Sequence, residues 1–439
     1  MARLSSTLCL ITCLVGATAT AAAQTLAQRI SNAPDGIVRV QFAPRPGTCG
    51  NGRDVIAFRK AMFGGDFQSF GEWSADDCVQ GPMRVAITVA GGRAVSLQTS
   101  VGGKWPAISG RVTDLGVVSS GEAATYFFGI IPQLEGRDRR ARLMLPAVLA
   151  DDPNAIPRLV SLARDGARRH DTRSQAIHWI GILGDARVVP ILVGFARQAG
   201  SLPSGQDIDH DDEGPGSNGF ANAAMAGLSI LDDHAGVPAL MELARDNSPG
   251  VRAPAVFWLG QSGDPRAFAA LHTVIENSRE DDRIRARAIF SLAHGARVPA
   301  SEIAYLGRLF PTVTSTRMKN MILQGMAEDE SNGASWLLST AGDRAQSLET
   351  RKQALFWAGQ RQATPTRDLI AFYRGTSETS LREHAIFVLS QREDDAALNE
   401  LMRIAKADSD RRMRSKALFW LGQKEDPRVA ALIGDKLSK

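Results

Sequence analysis

The sequence lacks the motifs that mark common catalytic sites. It contains no HExxH metal-binding motif, no GxSxG nucleophile motif and no GxxxxGK[ST] phosphate-binding loop. Its 7 histidines are scattered along the chain without the spacing of metal ligands. These absences argue against hydrolytic, metalloprotease and nucleotide-dependent chemistry. We therefore predict that the protein is not an enzyme and has neither catalytic residues nor a cofactor.

The charge distribution has no excess of one sign. The 51 Lys and Arg residues are nearly balanced by 47 Asp and Glu residues, which leaves a net charge of +4. Because both signs alternate and no basic run occurs, the sequence predicts a solvated surface and no nucleic-acid partner. After the N-terminal apolar stretch, no segment approaches the roughly 20 consecutive apolar residues of a membrane span.

Residues 1–23 have the pattern of a cleaved export signal. Arg3 precedes the apolar stretch Leu4–Val15, and Ala21–Ala23 form a small-residue cleavage site. Lipidation at Cys13 is the alternative, although the threonine before it suits that modification poorly. We therefore predict a periplasmic or secreted protein.

Cysteine is scarce. The chain has 4 cysteines, of which Cys9 and Cys13 fall in the predicted signal, so that Cys49 and Cys78 remain. Two cysteines in an oxidising compartment most simply form a disulfide, and closing this loop stabilises the fold by on the order of 3.5 kcal/mol. A metal site or a reactive thiol pair is the alternative, but no histidine lies near either cysteine in the sequence.

Residues 24–132 are predicted to form a small domain, β-rich or α+β, stapled by this disulfide. Gly36–Ala43 and Met83–Ala90 have the apolar pattern of strands. A Gly-Gly turn leads from the second strand into Ala94–Val101, which predicts a hairpin. A helix is expected to begin near Glu122, capped by one of two preceding serines.

The rest of the chain is organised around a recurring string. Val251–Pro265 is VRAPAVFWLGQSGDP, and related strings occupy Arg351–Gln360 and Arg414–Pro427. Apart from one interval of 48 residues, which contains an insertion, the residue that begins each apolar run recurs every 31 to 33 residues, at Leu143, Ala176, Ala224, Ala255, Ala288, Met321, Ala354, Ala385 and Ala417. A fixed period in this range predicts an α-solenoid of about nine stacked helical pairs over residues 140–439.

Each repeat carries local signals for the start of its first helix. In three repeats an Asp suited to capping precedes a Pro suited to the first helical position, at Asp152, Asp264 and Asp426. An acidic residue holds the same place in four others, at Asp185, Asp233, Glu330 and Asp394. These residues predict where the first helices begin.

Three strings of this region resemble HEAT repeats, in particular the short HEAT-like form also found in phycobilisome lyases. They are IGILGDARVVPIL (180–192), WLGQSGDPRAFAAL (258–271) and WLGQKEDPRVAALI (420–433). The resemblance covers roughly residues 140–439 and implies that the second helix of each pair lines a concave side. Lyase activity does not follow from it, because such repeats occur in many unrelated binding proteins. The N-terminal region is unrecognised.

In the HEAT-like family, the turn within a repeat carries an Asp and, six residues later, an Arg. Two pairs of this chain match that spacing, Asp246 with Arg252 and Asp408 with Arg414. Other repeats keep the arginine but not the aspartate, at Arg173, Arg285, Arg351 and Arg382. The resemblance therefore implies an Asp–Arg pair in some turns and not in others.

Helical periodicity divides each second helix into two faces. Counted from the starting residue, positions +1, +3 and +4 fall on the core side, which predicts that the tryptophans at +3 are core residues: Trp179, Trp258, Trp357 and Trp420. Positions −1, +2 and +6 lie together on the opposite face, at about 260°, 200° and 240°. A large apolar residue recurs at +2 in six successive repeats, usually with amide or basic groups around it.

This second face is the predicted binding surface. Its candidate binding residues are Phe257, Gln261, Phe290, His294, Phe356, Gln360, Phe387, Gln391, Phe419 and Gln423. Glutamine can pair with both groups of a peptide backbone, and aromatic rings supply contact area at low entropic cost. The alternative is that each phenylalanine only packs between adjacent repeats.

An acidic insertion, Gly200–Gly219, interrupts the repeats. Asp207, Asp209 and Asp211 alternate as the ligands of a calcium loop do. However, Asp212 and Asn218 stand where such a loop needs Gly and Glu. We therefore favour a solvated loop and predict no metal site.

These observations favour an exported, non-enzymatic scaffold or adaptor that binds another protein or an extended peptide on the solenoid. Two alternatives remain. The first is an enzyme with its site in the N-terminal domain or the junction and the solenoid as a substrate clamp. The second is a carrier of a small apolar ligand.

Overall fold

The computed structural model describes residues 24–58, 61–63, 78–105, 110–135, 143–199, 219–296 and 298–437. The predicted export signal, Cys13 and the acidic loop with Asp207, Asp209 and Asp211 lie outside the described residues. The chain divides into two compact units, Met1–Ala155 and Ile156–Lys439.

The N-terminal unit combines two small sheets with helices. Its strands are β1 (Gly36–Phe42), β2 (Thr48–Gly50), β3 (Ile56–Phe58), β4 (Ala61–Phe63), β5 (Met83–Ala90), β6 (Arg93–Val101) and β7 (Val112–Val117). Its helices are α1 (Leu26–Ser31), α2 (Ser120–Leu134) and α3 (Leu145–Val148). One sheet has the strand order β6-β5-β1-β7, and the other has the order β2-β3-β4.

The predicted hairpin is present and forms half of the larger sheet. β5 and β6 pair antiparallel across Gly91 and Gly92, whose φ angles of 58° and 71° suit glycine. β5 also pairs antiparallel with β1, and β1 pairs parallel with β7. The alternating burial along β1 turns Phe42 toward α2, where its ring lies 5.9 Å from that of Phe127. Ser119 caps α2, as one of the two predicted serines.

The predicted disulfide between Cys49 and Cys78 is confirmed, with the two Cα atoms 5.3 Å apart. Hydrogen bonds also connect the loop after β1 to the segment around α3. Arg45 donates to the carbonyls of Val148 and Asp152 at 2.8 and 2.6 Å. The repeat expected to start at Leu143 is therefore a single turn, α3, that groups with the N-terminal unit. The division between the units lies after residue 140, at Ala155.

The rest of the described chain is a solenoid of helical pairs, as predicted. The even-numbered helices are the first of each pair: α4 (Ala155–Arg164), α6 (Val189–Ala199), α8 (Val237–Leu243), α10 (Pro265–Glu276), α12 (Ala300–Leu309), α14 (Gly333–Gly342), α16 (Thr366–Gly375), α18 (Asp395–Ala407) and α20 (Pro427–Leu437). The odd-numbered helices are the second: α5 (His170–Leu183), α7 (Gly219–Ser229), α9 (Pro249–Gln261), α11 (Asp282–His294), α13 (Thr316–Met326), α15 (Leu348–Gln360), α17 (Thr379–Ser390) and α19 (Arg411–Leu421).

The second helices pack side by side in chain order, and small residues let them approach closely. A Cβ atom at Gly260 of α9 would lie 2.5 Å from the carbonyl oxygen of Ser291 in α11. Gly181 of α5 likewise contacts Gly227 of α7, and Gly359 of α15 contacts Val388 of α17. A larger side chain at these positions would force neighbouring repeats apart.

The predicted capping aspartates are largely confirmed. Asp264 accepts a hydrogen bond from the backbone N–H of Arg266 at 2.8 Å and also pairs with the guanidinium of that residue. The same Asp-X-Arg pairing recurs at Asp185 and Asp426. Two of the predicted caps were wrong. Asp233 lies inside the short 3-10 helix Asp232–His234, and α8 begins after Gly236 without a side-chain cap. In another repeat the prediction was off by one residue, because Asp329 rather than Glu330 accepts from the following backbone N–H groups.

The arginines of the intra-repeat turns do not pair with the aspartates six residues before them. Arg252 donates instead to the backbone carbonyl of Asp246, and Arg414 to that of Asp408, at 2.9 and 2.6 Å. Where the aspartate is missing, Arg351 donates to the carbonyl of Ala341 at 3.0 Å. The arginine therefore satisfies the end of the first helix without needing an aspartate at that offset.

Three arginines of the intra-repeat turns form ion pairs with the next repeat. Arg252 pairs with Glu280, Arg351 with Glu378 and Arg382 with Asp408, with N–O distances of 2.9, 2.7 and 2.6 Å. Each acid lies in or beside the following intra-repeat turn. A ladder of charge pairs thus runs between repeats, although its acids hold varying offsets in the sequence.

Candidate binding surface

The second-helix face consists of positions −1, +2 and +6 of the odd-numbered helices, counted as in the sequence. The aromatic residues at +2 are not sealed in the core. Phe257, Phe290, Phe356 and Phe387 are half-buried, and Phe419 is 58% exposed. Leu323 breaks the series, because it is fully buried. Packing between repeats therefore covers these rings only in part.

A continuous aromatic row crosses the last three second helices. The rings of Phe356 and Phe387 are nearly parallel with centroids 6.5 Å apart, and Trp420 lies 5.2 Å beyond Phe387. Trp357 and Phe419 complete the row, each in edge contact with its neighbour in the same helix. We call these five residues the aromatic row.

The tryptophans of this face correct a prediction. Trp179 is buried, with 4% of its surface exposed, but Trp258, Trp357 and Trp420 are only half-buried. Position +3 lies at the border between the two helix faces, so neighbouring helices cover the large indole only in part. Three tryptophans predicted as core residues are therefore only partly buried.

The glutamines at +6 differ along the solenoid. Gln261 is half-buried and donates to the backbone carbonyl of His294 at 3.3 Å. Gln391 donates to the hydroxyl of Ser390 at 3.2 Å. In the described part of the chain, the exposed amides of Gln360 and Gln423 make no hydrogen bond. Free amides thus lie beside the aromatic row, where the predicted surface needs them.

Two buried polar atoms near the aromatic row lack partners within the described residues. They are the indole nitrogen of Trp420 and Nε2 of His384. The ring of His384 lies 5.6 Å from that of Phe387. Burial and the nearby charge of Lys352 lower the pKa of His384, so its imidazole is neutral at pH 7. Such atoms carry a desolvation cost that a ligand can recover by hydrogen bonding.

The middle of the face satisfies more of its own polar groups. The ring of His294 stacks on Phe290 at 4.4 Å, and Nδ1 of His294 lies 3.1 Å from the carbonyl of Phe290. The indole nitrogen of Trp258 donates to Oδ1 of Asn222 at 2.7 Å. These polar groups already have hydrogen-bond partners within the protein, unlike the buried polar atoms near the aromatic row.

Desolvation lowers the pKa of three side chains on different second helices, His178, Arg287 and His384. Each of these side chains is nevertheless exposed at least in part.

The N-terminal unit has a cleft of its own, with a volume of about 1410 Å³, lined by α1, the β5–β6 turn and α2. Its wall includes Tyr126 and also Glu122, which pairs with Arg29. Burial raises the pKa of Tyr126 to about 12, so it stays protonated at neutral pH.

Among the described residues, no group of three or more His, Cys, Asp or Glu side chains is placed to hold a metal ion. No helix in this part of the chain has the length and apolarity needed to cross a membrane.

Several solved structures are similar to this chain. One is YibA of Escherichia coli, with 18% identity and a TM-score of 0.35, covering 56% of this chain and 90% of its own. An engineered protein has 14% identity, a TM-score of 0.28 and coverages of 69% and 85%. The CpcE–CpcF complex of phycocyanin lyase from Nostoc sp. PCC7120 has 16% identity, a TM-score of 0.28 and coverages of 56% and 91%.

No curated protein matches this sequence. The family model for HEAT repeats does match, over residues 221–300, which contain α8 to α11. The N-terminal unit has no such match. The resemblance drawn from the recurring strings is therefore confirmed over residues 221–300, which match the model for HEAT repeats.

Proposed function

We propose that this protein is an exported, non-enzymatic scaffold that binds another polypeptide as an extended segment along the second-helix face. HEAT-like repeats are often protein-interaction scaffolds, and the solenoid offers one surface that spans many repeats. Export rests on the pattern of residues 1–23. The absence of catalytic motifs in the sequence supports a binding role without covalent chemistry.

The observation that carries this proposal is the aromatic row. Its rings touch across three successive repeats and still remain partly open to solvent. A solenoid that used these rings only for packing would gain more by burying them completely, since apolar burial contributes about 25 cal/mol per Å². Rings left half-exposed in a row are typical of a surface that a partner covers.

The spacing of the row suits an extended chain. The centroids of Phe356 and Phe387 are 6.5 Å apart. Side chains on one side of an extended segment repeat about every 6.6 Å, which is two residues of about 3.3 Å each. Alternate side chains of the partner can therefore contact successive rings, while the free amides of Gln360 and Gln423 pair with its backbone.

Selection from a displayed library of random 16-residue peptides tests the proposal. The wild-type protein should enrich peptides with apolar residues at alternate positions. The double variant Phe356→Ala/Phe387→Ala should lose this enrichment, because both central rings of the row are gone. We expect its thermal midpoint to stay close to that of the control described next, since the rings are only half-buried.

The matched control is Phe372→Ala. Phe372 is also half-buried but lies on α16, a first helix outside the second-helix face. This variant should keep the enriched peptides. Failure of the wild-type protein to enrich any peptide would refute the proposal. A loss of several degrees in the double variant alone would show that the rings serve packing instead.

A further inference from the structure

We infer that the bound segment is acidic and places a carboxylate on Arg287. This inference rests on the proposed function and adds the chemistry of the partner. Arg287 holds position −1 of α11, on the second-helix face, one residue before the start of the apolar run. Its side chain is half-buried.

Arg287 differs from the arginines of the intra-repeat turns because it has no partner. Within the described residues its guanidinium makes no hydrogen bond, ion pair or ring contact. Arg252, Arg351 and Arg382 in comparable environments each reach a carboxylate of the next repeat. Desolvation lowers the pKa of Arg287, and no nearby carboxylate offsets this effect. An anion bound here would relieve the cost of a partly desolvated, unpaired cation.

The charges along the same face favour an acidic partner. At positions −1, +2 and +6 of the described second helices, two residues are cationic, Arg287 and Lys416. No Asp or Glu holds any of these positions. This excess of positive charge attracts carboxylates and repels basic segments.

The next helix offers a backbone contact beside this cation. Asn320 holds the same position −1 in α13, and its buried Oδ1 atom has no partner among the described residues. A carboxylate on Arg287 would bring the N–H groups of the partner's backbone alongside Asn320. One of these N–H groups can donate to Oδ1 and satisfy it.

The distance to the aromatic row fixes the spacing of the partner's residues. The rings of neighbouring second helices lie 6.5 Å apart and packed helix axes about 8–10 Å apart, so two steps from α11 to α15 span about 13–18 Å. An extended chain covers that distance in about four to six residues at roughly 3.3 Å per residue. The partner should therefore carry Asp or Glu about four to six residues from its first apolar anchor.

The first arm of the test uses the peptides that the wild-type protein selects from the random library. They should be acidic, with Asp or Glu at the spacing given above. The same selection with Arg287→Glu should no longer favour acid at that position, because the charge of the site is reversed. Selection of neutral or basic peptides by the wild-type protein would overturn the inference and leave the proposed scaffold function intact.

The second arm measures the affinity of one selected peptide and of its twin with that acid replaced by the amide. Arg287→Gln should bind the acidic peptide about tenfold more weakly, the effect of losing one charge-assisted contact. The twin should bind the wild-type protein and Arg287→Gln equally. Arg287→Lys should fall between the two for the acidic peptide, because lysine keeps the charge but not the fork of donors.

The control for charge alone is Arg308→Gln, an exposed arginine on α12 outside the second-helix face. It should leave both affinities unchanged. An equal loss with Arg308→Gln and Arg287→Gln would show general attraction and overturn the specific contact. Displacement of the peptide by inorganic phosphate alone would assign Arg287 to a phosphate ligand, which also contradicts the inference. If no peptide binds at all, the proposed function fails together with it.

Discussion

At the scale of single residues, arginine side chains link successive repeats of this solenoid through hydrogen bonds and ion pairs. Arg351 is only 7% exposed, donates to the carbonyl of Ala341 and pairs with Glu378 of the next repeat. One side chain thus ends a helix and joins two repeats. Arg287 is similar in type but makes none of these contacts, which is why the two arginines have such different expected roles.

We expect Arg351→Ala to lower the free energy of unfolding by about 2–3 kcal/mol, because a buried carbonyl and a carboxylate lose their partner. Urea denaturation followed by circular dichroism measures this change. The exposed Arg344 provides the control, since Arg344→Ala removes the same charge without breaking these contacts. Equal unfolding midpoints for the two variants would contradict the assigned role of Arg351.

At the scale of helices, the close contacts between second helices depend on glycine residues, whose lack of a side chain lets the helix backbones approach. Gly260 has an ordinary helical conformation, so its role lies in the space it leaves for the backbone of Ser291. The recurring string of the sequence contains this glycine in several copies. Its place in the contact between repeats becomes evident only when neighbouring helices are seen together.

Gly260→Ala should destabilise the protein by about 2–3 kcal/mol, because the added methyl group meets the backbone of α11 and cannot be accommodated by a side-chain rotation. Thermal unfolding measured by calorimetry tests this. Gly307→Ala in α12 is the control, since the nearest atoms to its new methyl group lie at 3.7 Å. That variant should be neutral or gain about 0.5–1 kcal/mol from helix propensity. Destabilisation by both would show a general intolerance of alanine.

The features that could be predicted from the sequence are those with local causes. Helix starts at Asp264 and the hairpin at Gly91 follow from a few adjacent residues, and the repeat period follows from helix geometry. The parallel pairing of β1 with β7 joins strands far apart in the chain, and nothing local encodes it. The exposure of Trp357 depends on how far the neighbouring helix extends, which helical periodicity alone does not give.

The candidate site divides in the same way. The recurrence of phenylalanine at one helix position was visible in the sequence, and its placement on one face needs only the helical repeat. Arg287 stood in the same series, but its lack of a partner could not be known without the positions of all surrounding carboxylates. Whether an arginine has a carboxylate nearby depends on the three-dimensional arrangement of residues that are distant in the sequence.

At the scale of the whole molecule, many carboxylates of the solenoid are held in their charged form by the turns. Hydrogen bonds from Arg428 lower the pKa of Asp426 to about 2. Burial disfavours the charge of Asp408, but Tyr373, the N–H of Asp410 and Arg382 outweigh it and lower its pKa. Hydrogen bonds from Arg266 lower the pKa of Asp264.

The protein should therefore lose stability in acid. A carboxylate with a folded-state pKa below its unfolded value of about 3.9 stabilises the fold above that pH, and the stabilisation disappears as the pH falls toward the folded value. His178 and His384, whose pKa values are lowered by desolvation, add a smaller loss that begins below about pH 6.5. Thermal midpoints measured by circular dichroism should be constant from about pH 7 to about pH 9, decline slightly to pH 4 and fall steeply below it. A midpoint that is unchanged at pH 3 would contradict this account.

The aromatic row has a mechanical consequence. Its rings lie on separate repeats, and each second helix packs mainly on its immediate neighbours. A partner chain bound across the row would contact three adjacent repeats at once. Binding should therefore reduce the relative motion of these repeats and make this part of the solenoid less elastic.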